Sequence, residues 1–364
     1  MARSPSRMPV TRLAGLPRRA LWGIAMGLLA AIGGLAVLAL LHQDAAVSIP
    51  QNQRDMATYT LIVEAMHRGQ GYYDAVAAAL RQNHYGMQSV FNWRTPLLLT
   101  GAASFPSLIW PQMLQGIAAL VALLLAARLA LRELGGIAAA LVFVLGLGSL
   151  AMVAVPGSVL MAEVPAGVLI LLSASAYGLG WRRVGFIAAV LALFIRELAG
   201  PYVLVCAVLA WREGRWREVT GWMAAGLAYA GYFLWHMHMV ALHVAPGDPA
   251  DMSGWLQWGG AGFVLQTAQF DGVFAVAPLR VTALILPAAW LGLLAWPGAA
   301  GERIGLTVSL YLALFAVAGK PFNTYWGALY TPLLVFGLAW FPFAVADLWR
   351  GVAAPPSAER RSEA

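Results

Sequence analysis

The chain has 364 residues, is 61% hydrophobic and only 11% charged, and has a mean hydropathy of +0.72. A soluble domain carries about 25% charged residues, so this sequence cannot cover a water-facing surface and a soluble globular fold is excluded. The single cysteine, Cys206, excludes an intramolecular disulfide and a cysteine-based metal site. The net charge of +7 sits mostly in the N-terminus and in short basic loops, which reads as membrane orientation and not nucleic-acid binding.

Residues 1–20 carry Arg3, Arg7, Arg12, Arg18 and Arg19 and no acid, ahead of an apolar run over 21–41. A cleaved signal peptide has a shorter apolar core, about 7–15 residues, and a small-residue cleavage site. This run is longer and no clear site follows. It is expected to be an uncleaved first span with a cytoplasmic N-terminus. Gly23 and Gly27 within it form a small-xxx-small packing signal. Further spans are predicted at 112–131, 135–155, 164–180, 184–196, 198–211, 219–241, 281–297, 304–319 and 325–346. Most of these runs are near the roughly 20 residues that cross a bilayer as a helix. The expected fold class is an all-α membrane protein with about 10 transmembrane helices over 21–349, followed by a disordered cytoplasmic tail, 350–364.

The first outer segment, 42–111, is long for a connector. Arg54 to Arg68 predicts a helix of about four turns, because Met56, Tyr59, Val63 and Met66 recur at three- and four-residue spacing. Gly69 and Gly71 are its stop signal, and Asp74 is placed to cap a second helix, Ala75 to Gln82. These are expected to lie along the membrane surface. Locally, Asp55 reads as an acid favouring the helix dipole, and Glu64 as the partner of Arg68 four residues on. The segment 95–110 is apolar but broken by Pro96, Gly101 and Pro106, and reads as a surface or re-entrant piece.

With these spans, the short basic loops fall on the inner side: Arg128 and Arg132, Arg182 and Arg183, Arg212, Arg215 and Arg217, Arg303, and Arg350. Nine of the sixteen acids fall outside (Asp44, Asp55, Glu64, Asp74, Glu163, Glu197, Asp248, Asp251 and Asp271), together with Arg94, Arg196, Arg280 and Lys320. Charged groups at membrane depth usually face a cavity or a partner. Glu163 and Arg196 are read either as a structural pair or, for Arg196, as a contact to a phosphate or sugar. Lys320, the only lysine, is read either as snorkelling to the interface or as a cation for a phosphate beside Asn323 and Tyr325. In the second large outer loop, 242–280, Trp255, Trp258 and Phe270 are an interfacial belt or a sugar-stacking surface. His236 and His238 point to different sides of a helix and make a poor metal clamp, with His243 further on.

The order of a basic-flanked first span, an outer loop reading RDMATYTLIVEAMHRGQGYY and then FNWRTPLLL resembles the GT-C superfamily of membrane glycosyltransferases. Its bacterial members use polyprenyl-phosphate-linked sugars. Their first outer loop has an acid, a tyrosine about four residues on, a helix, a glycine and an aromatic pair. The matching positions are Asp55, Tyr59, Gly69 or Gly71, and Tyr72 with Tyr73; Thr95-Pro96-Leu97 matches a Pro-Leu segment that often follows. Many members have two adjacent acids where this chain has Arg54 before Asp55.

The resemblance implies an inverting glycosyltransferase of the bacterial inner membrane, with both termini cytoplasmic and its active site on the outer face. The family's acid acts as general base or as a substrate-orienting carboxylate; that role transfers to Asp55, which is expected to be the general base. The donor is a polyprenyl-phosphate sugar and the acceptor a glycan, lipid or protein. By charge and position, the candidate cations for the leaving phosphate are Arg196, Arg280 and Lys320, and the candidate substrate contacts are Tyr59, Glu64, Tyr72, Arg94, Glu163, Glu197 and Tyr325. No cofactor is implied, and no metal is needed if two or more cations converge. The alternatives are a transporter or flippase of a lipid-linked sugar, or a non-catalytic subunit of an envelope-glycan assembly complex.

Overall fold

A computed structural model describes residues 9–41, 49–250, 257–270 and 278–353. Asp44, Trp255, Asp251, Asp271 and most of the C-terminal tail lie outside these residues. The described residues form fourteen α-helices and no strand. Four helices are long and apolar enough to cross a bilayer: α1 (Arg18–Leu41), α5 (Ile109–Leu134), α13 (Gly298–Val317) and α14 (Thr331–Ala353). The chain is a membrane protein. Three shorter apolar helices, α6 (Gly136–Ser149), α7 (Glu163–Gly178) and α12 (Leu279–Ala295), pack among them, with α8 (Arg182–Ile195), α9 (Gly200–Arg212) and α10 (Trp216–His243). Little of α1 is buried, and Trp22, Met26, Leu29 and Leu40 face outward. Among the described residues, nothing stands within 4 Å of where a Cβ on Gly23 or Gly27 would be, so the small-residue signal has no packing partner there.

The basic loops gather at one end of the bundle. The backbone N–H and hydroxyl of Thr11 both donate to Asp347 at 2.9 Å, and Arg12 donates to the Gly298 carbonyl at 3.1 Å. Arg212 pairs with Glu302, the Tyr177 hydroxyl donates to Glu218 at 2.8 Å, and Arg132 donates to the Gly178 carbonyl. These contacts tie together the N-terminal segment, the starts of α10 and α13, and the ends of α5, α7, α9 and α14. It follows that Glu163, Arg196, Lys320 and Tyr325 belong to the opposite, acidic end.

Helix lengths shape that end. At 1.5 Å per residue, α8 and α9 rise only about 20 Å, against a hydrocarbon layer of about 30 Å. Both are anchored at the basic end, so the turn between them, Arg196–Ala199, stops well short of the far side. The pair α6 and α7 is also short, closing through residues 150–162. The recess this leaves is roofed by the segment 49–103. There α2 (Ile49–His67), α3 (Tyr72–Gln82) and α4 (Pro96–Ala103) build a second apolar core from Tyr59, Ile62, Val63, Tyr73, Leu80 and Leu99. That core continues into Val159 and Leu160 below it and Val240 of α10 beside it. An eight-residue helix is about 12 Å long, too short to cross a bilayer, so α4 packs as part of the roof. Its first turn is held by the Tyr232 hydroxyl, which accepts from the Leu97 N–H at 3.0 Å.

Several boundaries differ from those the sequence predicts. Helix α2 starts at Ile49, five residues early, because Pro50 falls in the first turn, where its missing N–H has no helical partner to lose. Asp55 is therefore in the second turn, and the dipole reading of this acid no longer applies. Gly69 does end α2: it takes φ +89° and the Gln70 N–H closes back on the Ala65 carbonyl. Helix α3 starts at Tyr72 with Gly71 as its N-cap, so Asp74 lies in the first turn and is not the cap. Arg303 was expected in an inner loop. It lies instead inside α13, buried, with its guanidinium stacked 4.0 Å over the Tyr177 ring. A further helix, α11 (Gly260–Phe270), forms between α10 and α12, where the sequence predicts none.

Candidate active site

The site is built where the roof meets the short helices. Asp55 faces inward from α2 and is 5% exposed. The Tyr85 hydroxyl, just beyond α3, donates a hydrogen bond to its carboxylate. One turn further along α2, Tyr59 accepts a hydrogen bond from Arg94 Nε at 2.8 Å. Arg94 is fixed from both sides: the Tyr72 hydroxyl donates to its carbonyl at 2.6 Å, and its guanidinium reaches the Tyr325 hydroxyl at 3.5 Å.

Beneath Arg94 lies an ion cluster. Glu163, at the first turn of α7, is 1% exposed and Arg196 is 3% exposed; Arg196 Nε lies 2.8 Å from Glu163 Oε1. That contact is off the hydrogen-bond axis, so Coulomb attraction carries it. Arg94 Nη2 approaches the same Glu163 oxygen at 3.8 Å, and Arg196 also pairs with Glu197. Two guanidiniums thus share two carboxylates, which is how charges survive at such burial. The pairing of Glu163 with Arg196 weighed from sequence is present, and Arg94 joins it.

The turn at residues 323–329 brings a third wall. Asn323 donates to the Tyr325 hydroxyl at 2.9 Å and accepts from the Lys320 N–H at 3.0 Å. Phe270 of α11 meets the Tyr325 ring edge-on, with centroids 6.2 Å apart. Gly167 lets this turn approach α7, since a Cβ there would stand 2.0 Å from the Ala328 carbonyl oxygen. Lys320 is buried, so it does not snorkel; its amine lies 5.9 Å from the Phe322 ring centroid. Beside the ion cluster is a cavity of about 150 Å³, lined by Phe91, Arg196, Glu197, Leu198, Leu314, Ala318 and Trp326. Its walls are apolar apart from one guanidinium and one carboxylate.

Burial pushes the Tyr59 phenol up to about 12; Arg94 opposes the shift and Asp55 adds to it. Burial, then the Asp55 charge, raises the Tyr85 phenol well above its ordinary value. Both phenols therefore stay protonated at neutral pH and remain donors.

The structure thus brings together Asp55, Tyr59, Tyr72, Arg94, Glu163, Arg196, Glu197 and Tyr325. Two predicted residues stay apart. Glu64 is exposed on α2, with no ion pair to Arg68, and Arg280 is exposed in the first turn of α12. Tyr73 turns away from the site and shares a hydrogen bond of 2.9 Å with His236 Nδ1. Tyr85 and Phe91 went unremarked in the sequence. The Tyr85 signal is a left-handed residue before it, which appears only in the backbone. Compared with known proteins, the chain matches no family model, no curated protein and no solved structure.

Proposed function

We propose that this chain is a membrane glycosyltransferase of GT-C type, moving a sugar from a polyprenyl-phosphate donor to an acceptor hydroxyl. The observation that carries the reading is a buried Asp55 carboxylate one helical turn from Tyr59, which holds Arg94, with the Arg94–Glu163–Arg196 cluster next to it bordering an apolar cavity. In this reading about ten helices cross a bacterial inner membrane, with the basic end cytoplasmic and the roofed end outside.

Asp55 takes the proton of the acceptor hydroxyl as that oxygen attacks the anomeric carbon, which general-base catalysis requires within hydrogen-bond reach. The bond from the anomeric carbon to the phosphate oxygen breaks, with inversion. Negative charge grows on the departing phosphate. Arg94 and Arg196 are already fixed by Tyr59, Glu163 and Glu197, so they stabilise that charge with little reorganisation. Lys320 stands as a further cation. The cavity suits the first isoprenoid units, with Arg196 at the phosphate.

A flippase would need a polar path to the basic end. There the Arg303–Tyr177–Glu218–Arg215 contacts close the space between α7, α10 and α13. The test is donor consumption by the purified protein in detergent, using a panel of polyprenyl-phosphate sugars and a membrane extract as acceptor source, followed by mass spectrometry. Loss of one donor with release of polyprenyl phosphate is expected. A panel that is neither bound nor consumed contradicts the proposal.

A further inference from the structure

One residue among those described, glycine apart, has a left-handed backbone: His84, at φ +55°. Such a conformation is uncommon outside glycine and is worth tracing to what it positions. His84 ends α3. The Tyr85 N–H closes on the Leu80 carbonyl at 2.9 Å and the His84 N–H on the Arg81 carbonyl at 3.2 Å. That is the six-to-one and five-to-two pattern of a Schellman stop, in which glycine usually holds the left-handed place. The His84 side chain is exposed, so its own contacts do not explain the conformation. What the turn achieves is the direction of the next residue. Tyr85 comes off the helix end toward α2 and donates its hydroxyl to Asp55.

A second set of contacts holds the Tyr85 ring. The Arg54 guanidinium lies 5.1 Å from its centroid and also donates to the Asn83 carbonyl. Arg54 thus clamps the end of α3 onto α2, one residue before Asp55 in the chain. This gives a role to the arginine that stands where a second acid would be matched.

We infer that Tyr85 is a positioning residue for Asp55, held in place by the left-handed turn at His84 and by Arg54. The inference rests on the reading of Asp55 as the base. A phenol that stays protonated can only donate to the carboxylate, which favours its ionised form and fixes one of its oxygens. The phenol thereby sets the angle at which the carboxylate meets the acceptor hydroxyl. Tyr85 forms no bond to substrate in this account and takes no proton from it.

The experiment is the pH dependence of sugar transfer, with purified wild type, Tyr85→Phe, His84→Val, His84→Gly and Asp55→Asn in the same detergent. A hydrogen bond to a charged group is worth a rate factor of about 10 to 100 when it orients the base. Tyr85→Phe is expected to lose about that much kcat at neutral pH, with donor KM unchanged and the acid limb moved to higher pH. His84→Val, which cannot hold the turn, should reproduce the defect. His84→Gly should match wild type in both rate and profile. If Asp55→Asn abolishes transfer but Tyr85→Phe keeps the wild-type kcat and acid limb, the inference is overturned and the assignment of the base stands. If Asp55→Asn transfers normally, the assignment itself fails. A Tyr85→Phe protein that does not fold leaves the decision to His84→Val, where a wild-type profile counts against the inference.

Discussion

Glu163→Gln is the substitution whose cost the structure fixes best. The Glu163 carboxylate is 1% exposed and faces Arg196 at 2.8 Å and Arg94 at 3.8 Å. At an effective dielectric constant of 20 these distances correspond to about 6 and about 4 kcal/mol of Coulomb attraction, before several kcal/mol of desolvation per ion is subtracted. The neutral amide keeps the shape and removes the charge. Arg196 keeps Glu197 as a partner, which places the loss at the low end of the about 3–5 kcal/mol typical of breaking a buried pair. We expect about 3 kcal/mol. Glu197→Gln should cost no more than about 1 kcal/mol, because its side chain is 20% exposed and Arg196 retains Glu163. The assay is denaturant unfolding in a fixed detergent, followed by tryptophan fluorescence. A double-mutant cycle adds Arg196→Met; since both single changes break the same contact, their costs should not add, and the coupling should be at least about 1 kcal/mol. Glu163→Gln within 1 kcal/mol of wild type, or equal effects of the two glutamine substitutions, would refute the view that this cluster is a tightly coupled buried unit.

Two further predictions concern the frame of the site. Gly167→Leu should lower both stability and transfer, because its side chain would enter the space of the Ala328 carbonyl and drive the Tyr325 turn off α7; the same change at Gly101, where nothing stands within 4 Å, should be near neutral in the same unfolding assay. The second concerns the latch between the end of α3 and the segment after α10. Arg81 binds both Asp248 oxygens, at 2.9 and 2.7 Å, and with the Ala245 N–H it lowers the Asp248 carboxyl from 3.8 to about 2. A depressed carboxyl stabilises the folded state above its unfolded value and loses that contribution as pH falls through the folded one. The latch should hold at pH 4 and open toward pH 2, and Arg81→Ala should move the Asp248 midpoint, read by carboxyl NMR, back toward 3.8.

Much of this was legible in the sequence, for reasons that can be named. Hydropathy located the apolar helices because lipid forbids unpaired backbone, and arginine placement separated the two ends of the bundle. The period of Met56, Tyr59, Val63 and Met66 identified α2, and Gly69 its stop. Asp55 and Tyr59 were legible as a site through resemblance and Arg94 only as a charge on the same side, since no local spacing links residues 35 positions apart. What escaped is what tertiary contact decides. Glu64 and Arg68 have the spacing of an ion pair, yet both are exposed, and such pairs gain little there. Arg280 was grouped by loop and not by geometry. Tyr85 depends on a left-handed turn at His84, a conformation histidine adopts more often than most residues but one that no local pattern here announces. Arg303, read as an inner-loop charge, is sheltered by the Tyr177 face.

The measurement that bears most directly on the account is sugar transfer by wild type beside Asp55→Asn, with the donor that the panel identifies. The account predicts a loss of at least about 100-fold in kcat, the lower end of what a general base supplies, with the mutant still binding donor and unfolding like wild type. Turnover at the wild-type rate in Asp55→Asn would contradict it.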